Sequence, residues 1–143
     1  MKKDIEAIEN VQRRATKLLP NMSNLSYQQR LQRLQLPTLS YRRLRGSMIE
    51  VYKIFHIYDK GTTPLLKLST AATRGHKYKL ALERSKKYHP KQHFFNQRVV
   101  NPWNNLPDYV VDSPTLKTFE SRLDSHWRNL PLKFDHTSYF APS

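Results

Sequence analysis

The feature that most constrains the fold is an uninterrupted helical pattern between Pro37 and Gly61. Its apolar positions recur at spacings of 3, 4, 3, 4 and 3: Tyr41, Leu44, Met48, Val51, Phe55 and Tyr58. This periodicity is typical of one face of an α-helix. The stripe is widened by further apolar residues, namely Ile49, Tyr52 and Ile54. We therefore expect a central helix from Thr38 to about Tyr58 that packs on more than one side. Gly46 within it predicts either a close helix crossing or a close approach by a phosphate.

Prolines and capping residues divide the N-terminal part into two further helices. A first helix is predicted from Asp4 to Leu19. Its apolar stripe consists of Ile5, Ile8, Val11, Ala15 and Leu18, and the opposite face carries Glu9, Arg13 and Lys17. A second helix is predicted from Ser26 to Leu36, because Ser26 and Gln29 have the spacing of a capping box.

The C-terminal part predicts helices over His93–Leu106 and from Ser113 to about Leu130. Pro102 either kinks the first of these or begins a new helix with Asn101 as its N-cap. In the last helix, Ser113 is the expected N-cap. Between these parts, the pattern around residues 76–82 favours a short strand or an ordered extended segment.

These elements predict a mostly α fold, a small bundle of about five helices with an irregular basic segment near residues 69–92. We expect one helical domain over residues 1–130 and a loose tail over 131–143. The domain would comprise N-terminal helices (1–60), the basic segment (61–92) and C-terminal helices (93–130).

Positive charge is concentrated in the first two thirds of the chain. The 143 residues carry 25 Lys and Arg against 11 Asp and Glu, a net charge of +14. Residues 1–60 carry 12 basic and 5 acidic side chains, residues 61–98 carry 9 and 1, and residues 99–143 carry 4 and 5. Such an excess indicates a polyanionic partner, most often nucleic acid.

Basic side chains bind phosphates, and aromatic rings stack on unpaired bases. The predicted phosphate contacts are Arg42, Arg43, Arg45, Arg74, Lys77, Lys79, Arg84, Lys86, Lys87, Lys91 and Arg98. The predicted stacking residues are Tyr78 and Tyr88. The alternative interpretation is that these charges form a solvated face and that the aromatic residues belong to the core.

The composition argues against most catalytic chemistry. With no cysteine, disulfides, zinc knuckles and thiol catalysis are excluded. The 3 glycines form no phosphate-binding loop. Pro90 lies between His89 and His93, and the acidic pair of Asp108 and Asp112 is expected near a helix end or solvent. We expect no enzyme activity, cofactor, metal site or small-molecule substrate, no membrane span, and no secretion.

Several stretches carry a family resemblance. They are Val11–Leu18, Leu36–Lys53, His93–Pro107 and Ser113–Leu123. In order and spacing they resemble the C-terminal region of LINE-type (non-LTR) retrotransposon endonuclease/reverse transcriptase polyproteins, downstream of the polymerase core. The sequence departs from that family at Pro102, directly before Trp103. We expect Trp103 to be a buried anchor that packs on Phe119 and Trp127.

The resemblance implies a non-catalytic segment, because the polymerase's paired aspartates have no counterpart here. It implies RNA or DNA and the parent polymerase core as partners, in a nuclear or cytoplasmic ribonucleoprotein. The expected function is to hold template RNA or target DNA through phosphate contacts. Two alternatives stay open: a packing module that braces the polymerase, and a host nucleic-acid-binding protein domesticated from such an element.

Overall fold

The computed structural model describes residues 2–57, 76, 78–81 and 99–137. Within them the helices are α1 (Lys2–Lys17), α2 (Tyr27–Leu34), α3 (Leu39–His56), α4 (residues 99–104), α5 (Asp108–Val111) and α6 (Leu116–His126), followed by a 3₁₀ turn, Pro131–Lys133. The expected mostly α fold is confirmed. No strand forms within the described residues: of the two alternatives expected near Tyr78, a short strand is not seen at positions 78–81, where Leu80 forms only an isolated bridge. No helix in the described ranges is both long enough and apolar enough to cross a membrane.

The described residues fall into two compact units. Unit 1 contains the described residues up to Arg45 and those from Arg128 onward, and unit 2 contains those from Gly46 to Trp127. The boundary in sequence therefore lies inside α3. The single domain expected over residues 1–130 stays a prediction.

In unit 1, α1 packs against α2. The predicted capping box of α2 is confirmed, because the Ser26 hydroxyl accepts the Gln29 N–H and the Gln29 side chain accepts the Ser26 N–H. The helix ends at Gln35, whose left-handed backbone (φ 52°) is an αL C-cap. The apolar core of the unit consists of Met22, Tyr27, Leu31, Tyr41, Leu44 and Leu132.

α1 does not turn its apolar side into unit 1, as an amphipathic helix usually does. Three residues of its apolar stripe are exposed: Ile8, Val11 and Leu18 keep 56%, 67% and 87% of their full accessibility. The side that points into unit 1 is polar, since Glu9 and Thr16 are 2% and 4% exposed. The physical reason is that these polar groups have buried hydrogen-bond partners, which offset the cost of their desolvation.

Residues 131–137, expected to belong to a loose tail, instead hold the start of α3. Thr38 donates its backbone N–H to the Lys133 carbonyl at 2.8 Å and its hydroxyl to the Leu132 carbonyl at 2.7 Å. The same hydroxyl accepts the Tyr41 N–H at 3.1 Å, as a helix N-cap does. Residues 138–143 of the expected tail lie outside the described residues.

In unit 2, α3 supplies a buried face, as its periodicity predicts. Met48 and Val51 are fully buried, and Tyr52 stacks on Phe119 with ring centroids 4.5 Å apart. The close crossing expected at Gly46 is not found, because a Cβ atom placed there would meet nothing within 4 Å. Gly46 therefore stands on an open side of the helix.

Of the two alternatives at Pro102, the structure shows the one in which the proline lies inside a helix, whereas the predicted start of the last helix is wrong. Residues 99 and 100 are already helical, so Asn101 is not an N-cap and Pro102 lies within α4. The N-cap of α6 is Thr115, whose hydroxyl accepts the Thr118 N–H at 3.2 Å, rather than Ser113. Ser113 is buried instead, and its carbonyl accepts the Tyr52 hydroxyl at 2.6 Å.

Candidate nucleic-acid interface

Five of the predicted nucleic-acid contacts lie in the described residues. These are Arg42, Arg43 and Arg45 in unit 1, and Tyr78 and Lys79 in unit 2. The others lie outside the described residues: Arg74, Lys77, Arg84, Lys86, Lys87, Tyr88, Lys91 and Arg98. The interface can therefore be described at two places, one in each unit.

The first place is the arginine cluster near the start of α3, formed by Arg42, Arg43 and Arg45. Arg42 and Arg43 are exposed, and Arg45 is half-buried. The Arg42 guanidinium donates to the side-chain oxygen of Gln12 in α1. Three cations within four residues, near the positive end of a helix dipole, create a site that favours an anion.

The backbone at the start of α3 is already occupied within the protein. The Leu39 N–H donates to the Glu9 carboxyl group at 3.1 Å, and the Tyr41 N–H donates to the Thr38 hydroxyl. A phosphate would therefore be held by the arginine side chains rather than by these amides.

Arg30 shows that not every cation of this region is available to a polyanion. It is 4% exposed, and its guanidinium donates to the Thr16 hydroxyl (3.1 Å) and to the carbonyls of Leu25 (2.7 Å) and Arg13 (3.2 Å). It also lies over the Tyr27 ring, 5.5 Å from its centroid. Arg30 therefore ties α2 to the end of α1, a role that the sequence gives no signal for.

The second place is the segment that carries Tyr78 and Lys79, both of which are half-buried. The Tyr78 ring lies 5.1 Å from His56 in an edge-on arrangement and 5.8 Å from Phe55, between ring centroids. The ring thus already belongs to an aromatic cluster. Stacking on a base would use the part of the ring that stays accessible.

The side chains of Trp103 and Asn104 in α4 anchor this segment by hydrogen bonds to its backbone. The Trp103 indole N–H donates to the Tyr78 carbonyl at 2.9 Å. The Asn104 side chain pairs with both backbone groups of Leu80, accepting its N–H at 2.7 Å and donating to its carbonyl at 3.0 Å. Trp103 is fully buried and lies 6.1 Å from Phe119. Its expected burial and its contact with Phe119 are therefore confirmed.

His76 completes this anchor and was not singled out as a site residue. Its ring is buried, with Nε2 2.9 Å from the Trp103 carbonyl and Nδ1 accepting the Tyr78 N–H at 3.2 Å. Because Nδ1 is an acceptor, Nε2 is the donor, and the ring is neutral in this arrangement. Burial lowers the pKa of His76, which agrees with that protonation state.

Among the described residues, no group of three or more His, Asp or Glu side chains could hold a metal ion. His89 and His93 lie outside those residues. Comparison with known protein families, curated proteins and solved structures found no match to this chain.

Proposed function

We propose that this chain binds single-stranded RNA or DNA largely through phosphate contacts, as a non-catalytic segment. The observation that carries this proposal is the charge asymmetry. Residues 1–98 hold 21 of the 25 basic side chains but only 6 of the 11 acidic ones. The arginine cluster of α3 supports it further, because two of its three residues, Arg42 and Arg43, are exposed.

In the wider proposal, which rests on the resemblance described above, the segment lies downstream of a retrotransposon polymerase core. There it would hold template RNA or nicked target DNA beside the polymerase. Reading the genomic sequence upstream of Met1 tests this part separately. An in-frame polymerase supports it, whereas a promoter and splice sites favour a domesticated host gene.

Binding is tested with labelled single-stranded RNA and DNA over a range of salt concentrations. We expect affinity to fall steeply as salt rises, with a logarithmic slope of about −0.7 for each phosphate contacted. Binding that is absent at low salt, or that does not depend on salt, would refute the proposal.

Arg43→Glu tests the arginine cluster, with Arg128→Glu as its matched control. Both side chains are exposed, but Arg128 lies in the near-neutral part of the sequence. We expect Arg43→Glu to weaken binding several-fold and to reduce the magnitude of the salt slope by about 0.7, the value for one phosphate contact on a single strand. The control corrects for the change in net charge and should leave the slope unchanged.

The combined reversal of Arg84, Lys86 and Lys87 separates nucleic-acid binding from the packing alternative. It weakens RNA binding if this basic segment contacts phosphates. Unchanged RNA binding would instead favour a module that only braces the polymerase.

A further inference from the structure

The exposed stripe of α1 forms one wall of an apolar groove within unit 1. Ile8 and Val11 line it from α1, and Leu19 lines it from the chain just after that helix. Leu36 lines it from the chain between α2 and α3, and Leu39 from the first position of α3. The groove has a volume of about 690 Å³, which is in the range of binding clefts.

The exposure of this stripe is built into the packing of α1. On its inner side, the Glu9 carboxyl group accepts the Tyr27 hydroxyl at 2.5 Å. Thr16 on the same side accepts the Arg30 Nε–H at 3.1 Å. Turning the stripe inward would break these buried hydrogen bonds. Apolar side chains that line a cleft are typical of binding sites, so the groove is a candidate binding surface.

The charges beside the groove indicate what kind of partner fits. Arg42 lines the groove itself. Arg14 is exposed and lies one turn from Val11 and Leu18 on the helix surface. Residues 1–45 carry 10 basic and 3 acidic side chains. A second copy of the chain would bring another net charge of +14, so like-charge repulsion disfavours self-association.

We propose that this groove binds an acidic amphipathic helix of another protein. The apolar face of that helix would lie against Ile8, Val11 and Leu39, and its carboxylates would face Arg14 and Arg42. This is the helix-in-groove mode of recognition. A groove fits a helix better than it fits a bilayer, because amphipathic helices bind a bilayer through an apolar face that protrudes from the surface. The proposal shares Arg42 with the candidate nucleic-acid interface but does not rest on nucleic-acid binding.

The test measures binding of the full chain to a fluorescent synthetic helix of about 18 residues, with leucines on one face and glutamates elsewhere. Two control peptides are needed. One has the same composition with the leucines scattered around the helix, and the other has lysines in place of the glutamates. We expect binding of the first peptide at least about tenfold tighter than of either control.

The protein variant Ile8→Gln removes apolar surface from the groove, and Ile57→Gln is its matched control. The two isoleucines are 56% and 54% exposed, and Ile57 lies in unit 2. We expect Ile8→Gln to weaken peptide binding about tenfold and Ile57→Gln to change it less than about twofold. Val11→Gln provides a second groove variant, and far-UV circular dichroism checks that each variant is folded.

Arg14→Glu tests the charge complementarity, with Arg128→Glu as its control. We expect the first to weaken binding of the glutamate peptide by several-fold more than the second. Equal binding of the scattered peptide, or equal effects of Ile8→Gln and Ile57→Gln, would overturn the proposal. Two other results would also overturn it if the peptide does not bind. One is self-association in sedimentation equilibrium that Ile8→Gln abolishes. The other is binding to phosphatidylserine vesicles that Ile8→Gln abolishes.

Discussion

The substitution Tyr27→Phe tests the polar network that orients α1. The Tyr27 hydroxyl donates to Glu9 at 2.5 Å and accepts from the Gln12 side chain at 3.0 Å. Phenylalanine keeps the ring over which Arg13 and Arg30 lie, at 5.2 and 5.5 Å from its centroid, so the change isolates the hydroxyl. A hydrogen bond to a charged group contributes about 1.5–3 kcal/mol. We therefore expect the free energy of unfolding to fall by about 2 kcal/mol at pH 8.

The same hydroxyl predicts a pH dependence. Burial, followed by the hydrogen bond to Glu9, raises the pKa of Tyr27 to about 12. A free tyrosine has a pKa of about 10, so the folded state favours the neutral phenol. This contribution to stability is fully present below pH 10 and is lost as pH rises toward 12.

Urea unfolding followed by far-UV circular dichroism at pH 8, 10 and 11 measures both effects. The decrease in stability above pH 10 should be smaller in Tyr27→Phe than in the unsubstituted protein. Tyr109→Phe is the control, because Tyr109 is 53% exposed. A double-mutant cycle with Glu9→Gln should give a coupling energy of about 1 kcal/mol or more. A loss below about 0.5 kcal/mol at pH 8, together with parallel pH curves, would refute the reasoning.

Three further predictions concern unit 2 and α3. Asn104→Ala, which removes both hydrogen bonds to Leu80, should lower the unfolding free energy by about 2 kcal/mol, whereas Asn105→Ala at an exposed position should change it by less than about 0.5 kcal/mol. Gly46→Ala should raise the unfolding free energy by about 0.5–1 kcal/mol, because alanine favours a helix and the added methyl group meets open space. A less stable variant in chemical denaturation would contradict this prediction. Burial lowers the pKa of His76, so the contribution of this histidine to the free energy of unfolding is present above pH 6.5 and is lost as pH falls through its folded-state pKa. The decrease in stability between pH 7 and pH 5 should therefore be smaller in His76→Gln than in the unsubstituted protein. An equal decrease in both proteins would argue against this role.

The helices that the sequence predicted well are those with strong local signals. The capping box of α2 involves residues three apart, and both of its hydrogen bonds form. The apolar stripe of α3 is buried at Tyr41, Leu44, Met48 and Val51, because a wide stripe at helical spacing leaves little choice of inner face. The last helix was also predicted, but its start was placed two residues early. Ser113 and Thr115 offer competing N-caps two positions apart.

The features that were missed depend on partners distant in sequence. The pairing of Asn104 with the Leu80 backbone spans 24 residues, and the bond from Thr38 to Leu132 spans 94. Neither leaves a periodic pattern. Of the predicted interface, only the residues in α3 and the Tyr78–Lys79 segment could be located.

The sequence by itself determined the mostly α fold, the local capping of α2, and the concentration of positive charge before residue 99. These depend on helical periodicity, neighbouring residues and composition, which are all local or additive properties. Only the tertiary structure decided which face of α1 points inward and which cations are buried. An apolar stripe usually faces the core, but in α1 Glu9 and Thr16 have buried partners on the other side. Hydrogen bonding of buried polar groups outweighed the burial of Val11 and Leu18, and that balance depends on contacts between distant residues.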